Sequence, residues 1–241
     1  MSNAAEPGRA RPVTIEVRTM GRTLDDTDVD RWELKAARRA LRNLRTIAAG
    51  QPLMDLLADQ ISEGDRYHKA LIGASDGTYR ESKAEMTVRG ITGTELAEWF
   101  RSRFTTGTLA DKMAMLFAHP EHYVQPPDFA NGGNVEPIGG HLARFKADMG
   151  PELPEAVAAF LDPSYPVTLA SAVLMLADDT PFAYCLHQAR DTEYGSEVVV
   201  RVLYSSAAPD AMIEGHCEHL AVEFRSWIRD AAETVTAGRT G

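Results

Sequence analysis

Cysteine is scarce in this chain. Its 241 residues include two, Cys185 and Cys217, too few for a disulfide framework and in keeping with a reducing compartment. Long apolar runs are missing too, since no stretch approaches the roughly 20 residues of a membrane-spanning helix. The opening residues MSNAAEPGRARPV hold no apolar signal core, so the expected location is the cytoplasm. Excess positive charge is absent. A net charge of −10 argues against a nucleic-acid partner, because phosphate contacts need a basic surface. It also disfavours adsorption to anionic membranes. Two catalytic signatures are lacking as well. No G-x-S-x-G supports a serine hydrolase, and the glycines of NGGNVEPIGG form no G-x-G-x-x-G opening a helix.

What is present is a globular composition, 44% hydrophobic and 25% charged, at a length that sustains a sizeable core. Residues 1–12 read as a disordered N-terminus. VTIEVRTM (13–20) alternates like a strand. The stretch 24–50 has early aspartates, late arginines and a closing glycine, which spells a helix. QPLMDLLADQI (51–61) continues as a second helical piece. From about residue 67 the pattern changes: YHKALIGAS and RESKAEMTVRGI read as strands around the turn SDGT. TGTELAEWFRSRF reads as a helix capped by Thr92 or Thr94. NVEPIGGHLARFKADMG reads as a strand whose Pro137 marks an edge or a bulge. VTLASAVLMLADD suits a strand or a buried helix equally. FAYCLHQARDTEYGSEVVVRVLYS is a hairpin turning near DTEYGS, and a long helix covers about 211–234. This order predicts an α+β fold, a curved antiparallel sheet against the terminal helix. The expected organisation is a strand and helical extension over 13–66 and a main domain over 67–236.

The terminal helix carries an unusual face. At about 100° per residue, Met212, His216, His219, Leu220, Glu223 and Trp227 fall together, while Glu218 points away. His219 and Glu223, one turn apart, can aim two donors at one point, as a metal requires. A plain His–Glu hydrogen bond uses the same spacing, so a second source of ligands is needed. FAHPEHYV offers His119 and His122 beside Pro120. NVEPIGG offers Glu136, which alternation places opposite Val135; a glutamate on an inward face needs a cation or a donor. His187 shares a strand face with Cys185. Arg201 interrupts an aliphatic strand, and either a cross-sheet ion pair or solvent would satisfy it.

Taken in order, these segments resemble the 2,4-diacetylphloroglucinol hydrolase family, which includes phloretin hydrolase. The resemblance runs over about 85–230. It rests on the Trp-bearing helix TGTELAEWF, on AHPEHYV, on a glutamate before Ile-Gly-Gly in NVEPIGG, on the histidine-led hairpin with its returning arginine, and on HLAVEFRSW. It implies a helix-grip fold like the Bet v 1 and START proteins. It also implies a zinc ion held by two histidines and two glutamates, here His122 (or His119), Glu136, His219 and Glu223. The implied chemistry is hydrolysis of a carbon–carbon bond between an acyl group and a phenolic ring. His187 and the non-ligand histidine, here His119, are then the candidate acid–base groups. Trp99, Tyr123, Tyr184 and His216 are the candidate substrate contacts. The expected partner is an aromatic or polyketide-like small molecule, with homodimerisation left open. The alternative is a helix-grip cyclase or binding protein without hydrolysis, since fold does not fix function.

Overall fold

The computed structural model describes residues 15–105, 108–124, 133–150 and 152–240. The expected disordered N-terminus, 1–12, lies outside them. Internal contacts divide the chain into two units, the first ending at Leu44 and the second beginning at Arg45.

In the first unit, strands β1 (Val17–Thr19) and β2 (Arg22–Leu24) pair antiparallel. Met20 and Gly21 turn between them with positive φ. Helix α1 (Asp26–Ile47) follows. Asp25 caps it, its side chain accepting from the Asp28 amide at 2.7 Å, which satisfies one of the otherwise unpaired first-turn N–H groups.

The second unit takes in the last turn of α1, from Arg45 on, and continues with α2 (Gln51–Gly73). This helix absorbs YHKALIGAS, which the sequence suggested as a strand, and runs through the 66/67 boundary. No proline stands between Ile61 and Tyr67, and Met54, Leu57, Ile61, Gly64 and His68 are its buried residues at helical spacing. SDGT thus joins a helix to a strand. Then come β3 (Tyr79–Arg89), α3 (Gly93–Thr105), α4 (Leu109–Leu116), β4 (Asn134–Ile138), β5 (His141–Asp148), α5 (Glu155–Ala158), β6 (Val167–Met175), β7 (Pro181–Thr192), β8 (Gly195–Ser205) and α6 (Asp210–Thr240). Thr92 caps α3 through a reciprocal bond pair with Glu95. NVEPIGGHLARFKAD is a hairpin rather than one strand, turning on Gly139 and Gly140, both at positive φ. Pro137 lies in the edge strand β4, where a missing N–H is tolerated.

The six larger strands form one antiparallel sheet in the order β3-β8-β7-β6-β5-β4. Both outermost strands, β3 and β4, touch α6; a sheet whose two edges meet one helix must curl around it. The main core fills the inner face. Val198, Val200, Val202 and Tyr204 of β8 meet Met212, Leu220, Phe224 and Trp227 of α6 there. A second cluster covers the other face at β4 and β5, where Met54, Leu57 and Ile61 of α2 pack on Val135 and Leu142. Val135 and Glu136 are therefore both buried, one on each face of the same strand.

Candidate metal centre

Three separate stretches of chain bring polar side chains into this core. On α6, His216, His219 and Glu223 are buried while Glu218 is exposed, as the helical spacing requires. On β4, Glu136 points inward. The third stretch is HPEH, residues 119–122. It is a tight turn: the His122 N–H donates to the His119 carbonyl at 3.3 Å, with Pro120 at the position where its fixed φ suits a turn. The turn delivers His122, wholly buried, to the face of α6.

These groups converge on one atom. His122 Nε2 lies 3.1 Å from Glu223 Oε1, 3.2 Å from His219 Nε2 and 3.7 Å from Glu136 Oε2. Four ligands at 2.0–2.2 Å around a tetrahedral zinc stand about 3.3 Å from one another, and the three separations from His122 Nε2 are of that order. Ring positions discriminate among the histidines. Two imidazoles sharing a tetrahedral zinc through nitrogen place their centroids roughly 5 Å apart. His122 and His219 are 5.2 Å apart and tilted by 43°. His119 instead stacks on His219 at 3.8 Å and 25°. His119, His122 and His219 each offer a nitrogen within 4.8 Å of the others, yet His119 Nδ1 already accepts the Glu121 N–H at 3.0 Å. A neutral His119 consequently carries its proton on Nε2. Ring geometry and tautomer both favour His122 over His119 as a ligand.

His122 has the support that metal-binding histidines characteristically show. The Met115 carbonyl accepts a hydrogen bond from it. Because Nε2 is turned to His219 and Glu223, the donor is Nδ1–H, which leaves the Nε2 lone pair for a cation. Met115 lies in the last turn of α4, and its carbonyl also accepts from the Ala118 N–H at 3.2 Å and from Trp227 Nε1 at 3.4 Å.

Burial and charge pull these groups apart. Burial alone would lower the His122 pKa, but the carboxylates of Glu223 and Glu136 outweigh it and the net direction is up. Burial pushes Glu136 up to about 7, with His122 opposing and Glu223 reinforcing the rise. Burial takes His219 far below the usual imidazole range and His216 down to about 3, and neighbouring imidazoles add to both shifts. Two buried carboxylates and two imidazoles make a donor set that would suit a divalent cation.

An open cleft of about 380 Å³ reaches this cluster at His219 and His216. Its walls include Ile138, Gly139 and Met212, and its one charged lining group is Glu121. His216 is thus placed beside both His219, stacked at 5.1 Å, and the cleft. His187 is elsewhere. It meets the far side of Phe224, with ring centroids 4.7 Å apart, and lines a separate apolar cavity of about 20 Å³. Trp99 is a core residue packed edge-on to Phe100. Tyr123 packs on the α2-side cluster beneath the Arg45 guanidinium. Tyr184 lies on the sheet's other face against Tyr79, because strand alternation opposes it to Cys185. Arg201 is on that face too, paired with Glu81 at 3.2 Å. Of the suggested substrate contacts, the cleft includes His216. Sequence reasoning overlooked Tyr204, buried beside His216, and Arg45, whose contacts span 74 residues. No local pattern signals either one.

The chain matches no protein-family model and no curated protein at a significant level.

Proposed function

We propose that His122, Glu136, His219 and Glu223 hold a zinc ion, and that the protein is a zinc-dependent hydrolase on a helix-grip fold. The observation that carries this reading is the meeting of the four side chains at His122 Nε2, with separations of 3.1, 3.2 and 3.7 Å. Two carboxylates and two neutral imidazoles would balance the charge of a divalent ion. Bound there, zinc would supply Lewis acidity, polarising a carbonyl and bringing the pKa of water towards neutrality. The chain's own groups do the rest. His216, held neutral by burial, offers a ligand in the cleft one N–H and one lone pair. Ile138 and Met212 give that ligand an apolar wall, and Glu121 disfavours anions at the mouth. His119, with Nδ1 engaged, presents an Nε2–H.

The resemblance over 85–230 extends the proposal to the substrate: an acylated phenolic or polyketide-like molecule, cleaved between the acyl carbon and the ring. Metal quantification on the purified protein tests the centre. About one zinc per chain is expected, lost in His219→Ala and Glu223→Ala. Incubation with acylated phenols then tests the chemistry through release of a carboxylic acid. Zinc retained without acid release would turn the reading to a cyclase or a binding protein. That second reading draws on the apolar cleft walls, which would hold a ligand without any hydrolysis. A protein without zinc would leave His122 as an imidazolium bridging two carboxylates.

A further inference from the structure

The HPEH turn that delivers His122 is hydrogen-bonded by a buried cation. Arg45, in the last turn of α1 and 6% exposed, directs one terminal nitrogen to the His119 carbonyl at 3.5 Å and the other to the Pro120 carbonyl. Its guanidinium also lies 5.9 Å from the Tyr123 ring centroid. So it touches three of the five residues 119–123. Burial lowers its pKa to about 10, so it remains charged at neutral pH although it sits away from water. Here a planar fork spans two successive carbonyls, a fixed geometry that a lysine ammonium does not supply.

We propose that Arg45 is a positioning residue for the metal centre. It acts through the turn: fixing the two carbonyls sets the path of the chain into His122, and with it the aim of Nε2. The proposal rests on the zinc reading above for its consequence and on the hydrogen bonds alone for its geometry, so two measurements separate them. The first is zinc affinity by competition with a chromogenic chelator, together with the visible spectrum of the cobalt-substituted protein. Arg45→Met should weaken zinc about 10–100-fold, the range for loss of an outer-shell partner, and alter the cobalt band shape. Arg45→Lys should recover part of the affinity. Arg201→Met, which removes a cation on the other face of the sheet, should leave both readouts unchanged and so controls for general destabilisation. The second measurement is amide hydrogen exchange on the metal-free protein. Arg45→Met should speed exchange at Glu121 and His122, with α6 unaffected.

Equal loss of affinity in Arg45→Met and Arg201→Met would overturn the positioning role, as would wild-type affinity in Arg45→Met. A wild-type protein that takes up no zinc would remove the metal reading. The exchange experiment would then decide the clamp alone, and unchanged exchange at Glu121 and His122 would refute it.

Discussion

Replacing Glu136 by glutamine should stabilise the metal-free protein, and zinc should remove that advantage. In the metal-free state the carboxylate is buried beside Glu223, and burial raises its pKa from 4.5 to about 7. The unfolded chain gives up this proton near 4.5, the folded one only near 7. Between those values the unfolded state binds fewer protons, so stability falls as pH rises through the window. Two and a half pH units at 1.36 kcal/mol each amount to about 3 kcal/mol. Glutamine keeps the shape and cannot ionise. At pH 8, Glu136→Gln should therefore be more stable than wild type by about 3 kcal/mol, roughly 6–12 °C in melting temperature for a chain of this size. At pH 4 the difference should vanish. Zinc should close the gap. At free zinc 1,000-fold above its dissociation constant the wild type gains about 4 kcal/mol, and a variant binding about 100-fold more weakly gains only about 1.4 kcal/mol. Thermal melts at pH 4 and 8, with chelator and with buffered zinc, measure all four corners. A variant less stable than wild type in chelator at pH 8, or an equal zinc shift in both proteins, would refute the reasoning.

Other outcomes follow from the same geometry. His119→Gln should retain about one zinc per chain, because that ring stacks on His219; loss of the metal would restore His119 to the ligand set. Burial lowers the His187 pKa from 6.5 to about 4. Its contribution is therefore present above 6.5 and lost as pH falls towards 4, about 3 kcal/mol in all. His187→Leu should flatten acid denaturation across that window, and urea titrations at pH 7 and 4.5 would show it. Gly64 lies inside α2, where alanine ordinarily helps a helix by about 1 kcal/mol. A Cβ there would come within 1.8 Å of the Leu142 carbonyl oxygen, so Gly64→Ala should instead cost about 1–3 kcal/mol. A more stable variant would mean that α2 does not ride so close to β5.

Much of the architecture could be read from local pattern. The β7–β8 hairpin, β3, a threonine cap on α3 at Thr92 or Thr94 and α6 over about 211–234 follow from alternation, turn residues and capping chemistry, all of which act within a few residues; α6 itself runs on to Thr240. The errors have the same origin. Tyr67–Gly73 is apolar enough for a strand, and only its continuity with the preceding helix and its packing on β5 make it helical. The Gly139–Gly140 turn was legible as two glycines but not as a strand reversal. Tyr184 was misplaced for want of knowing which face of β7 met the helix.

For the site, the sequence alone determined which donors α6 carries and which way they face, because helical periodicity relates His216, His219 and Glu223 rigidly. It also marked Pro120 as a helix stop or a turn, since proline restricts the backbone there. Only the tertiary structure decided that this turn and β4 approach α6, which imidazole converges with His219 and which stacks on it, and that a distant arginine braces the turn. Those are relations between segments up to a hundred residues apart. They depend on how a six-stranded sheet curls around one helix, and no short-range pattern in the chain encodes the distance between two atoms brought together that way.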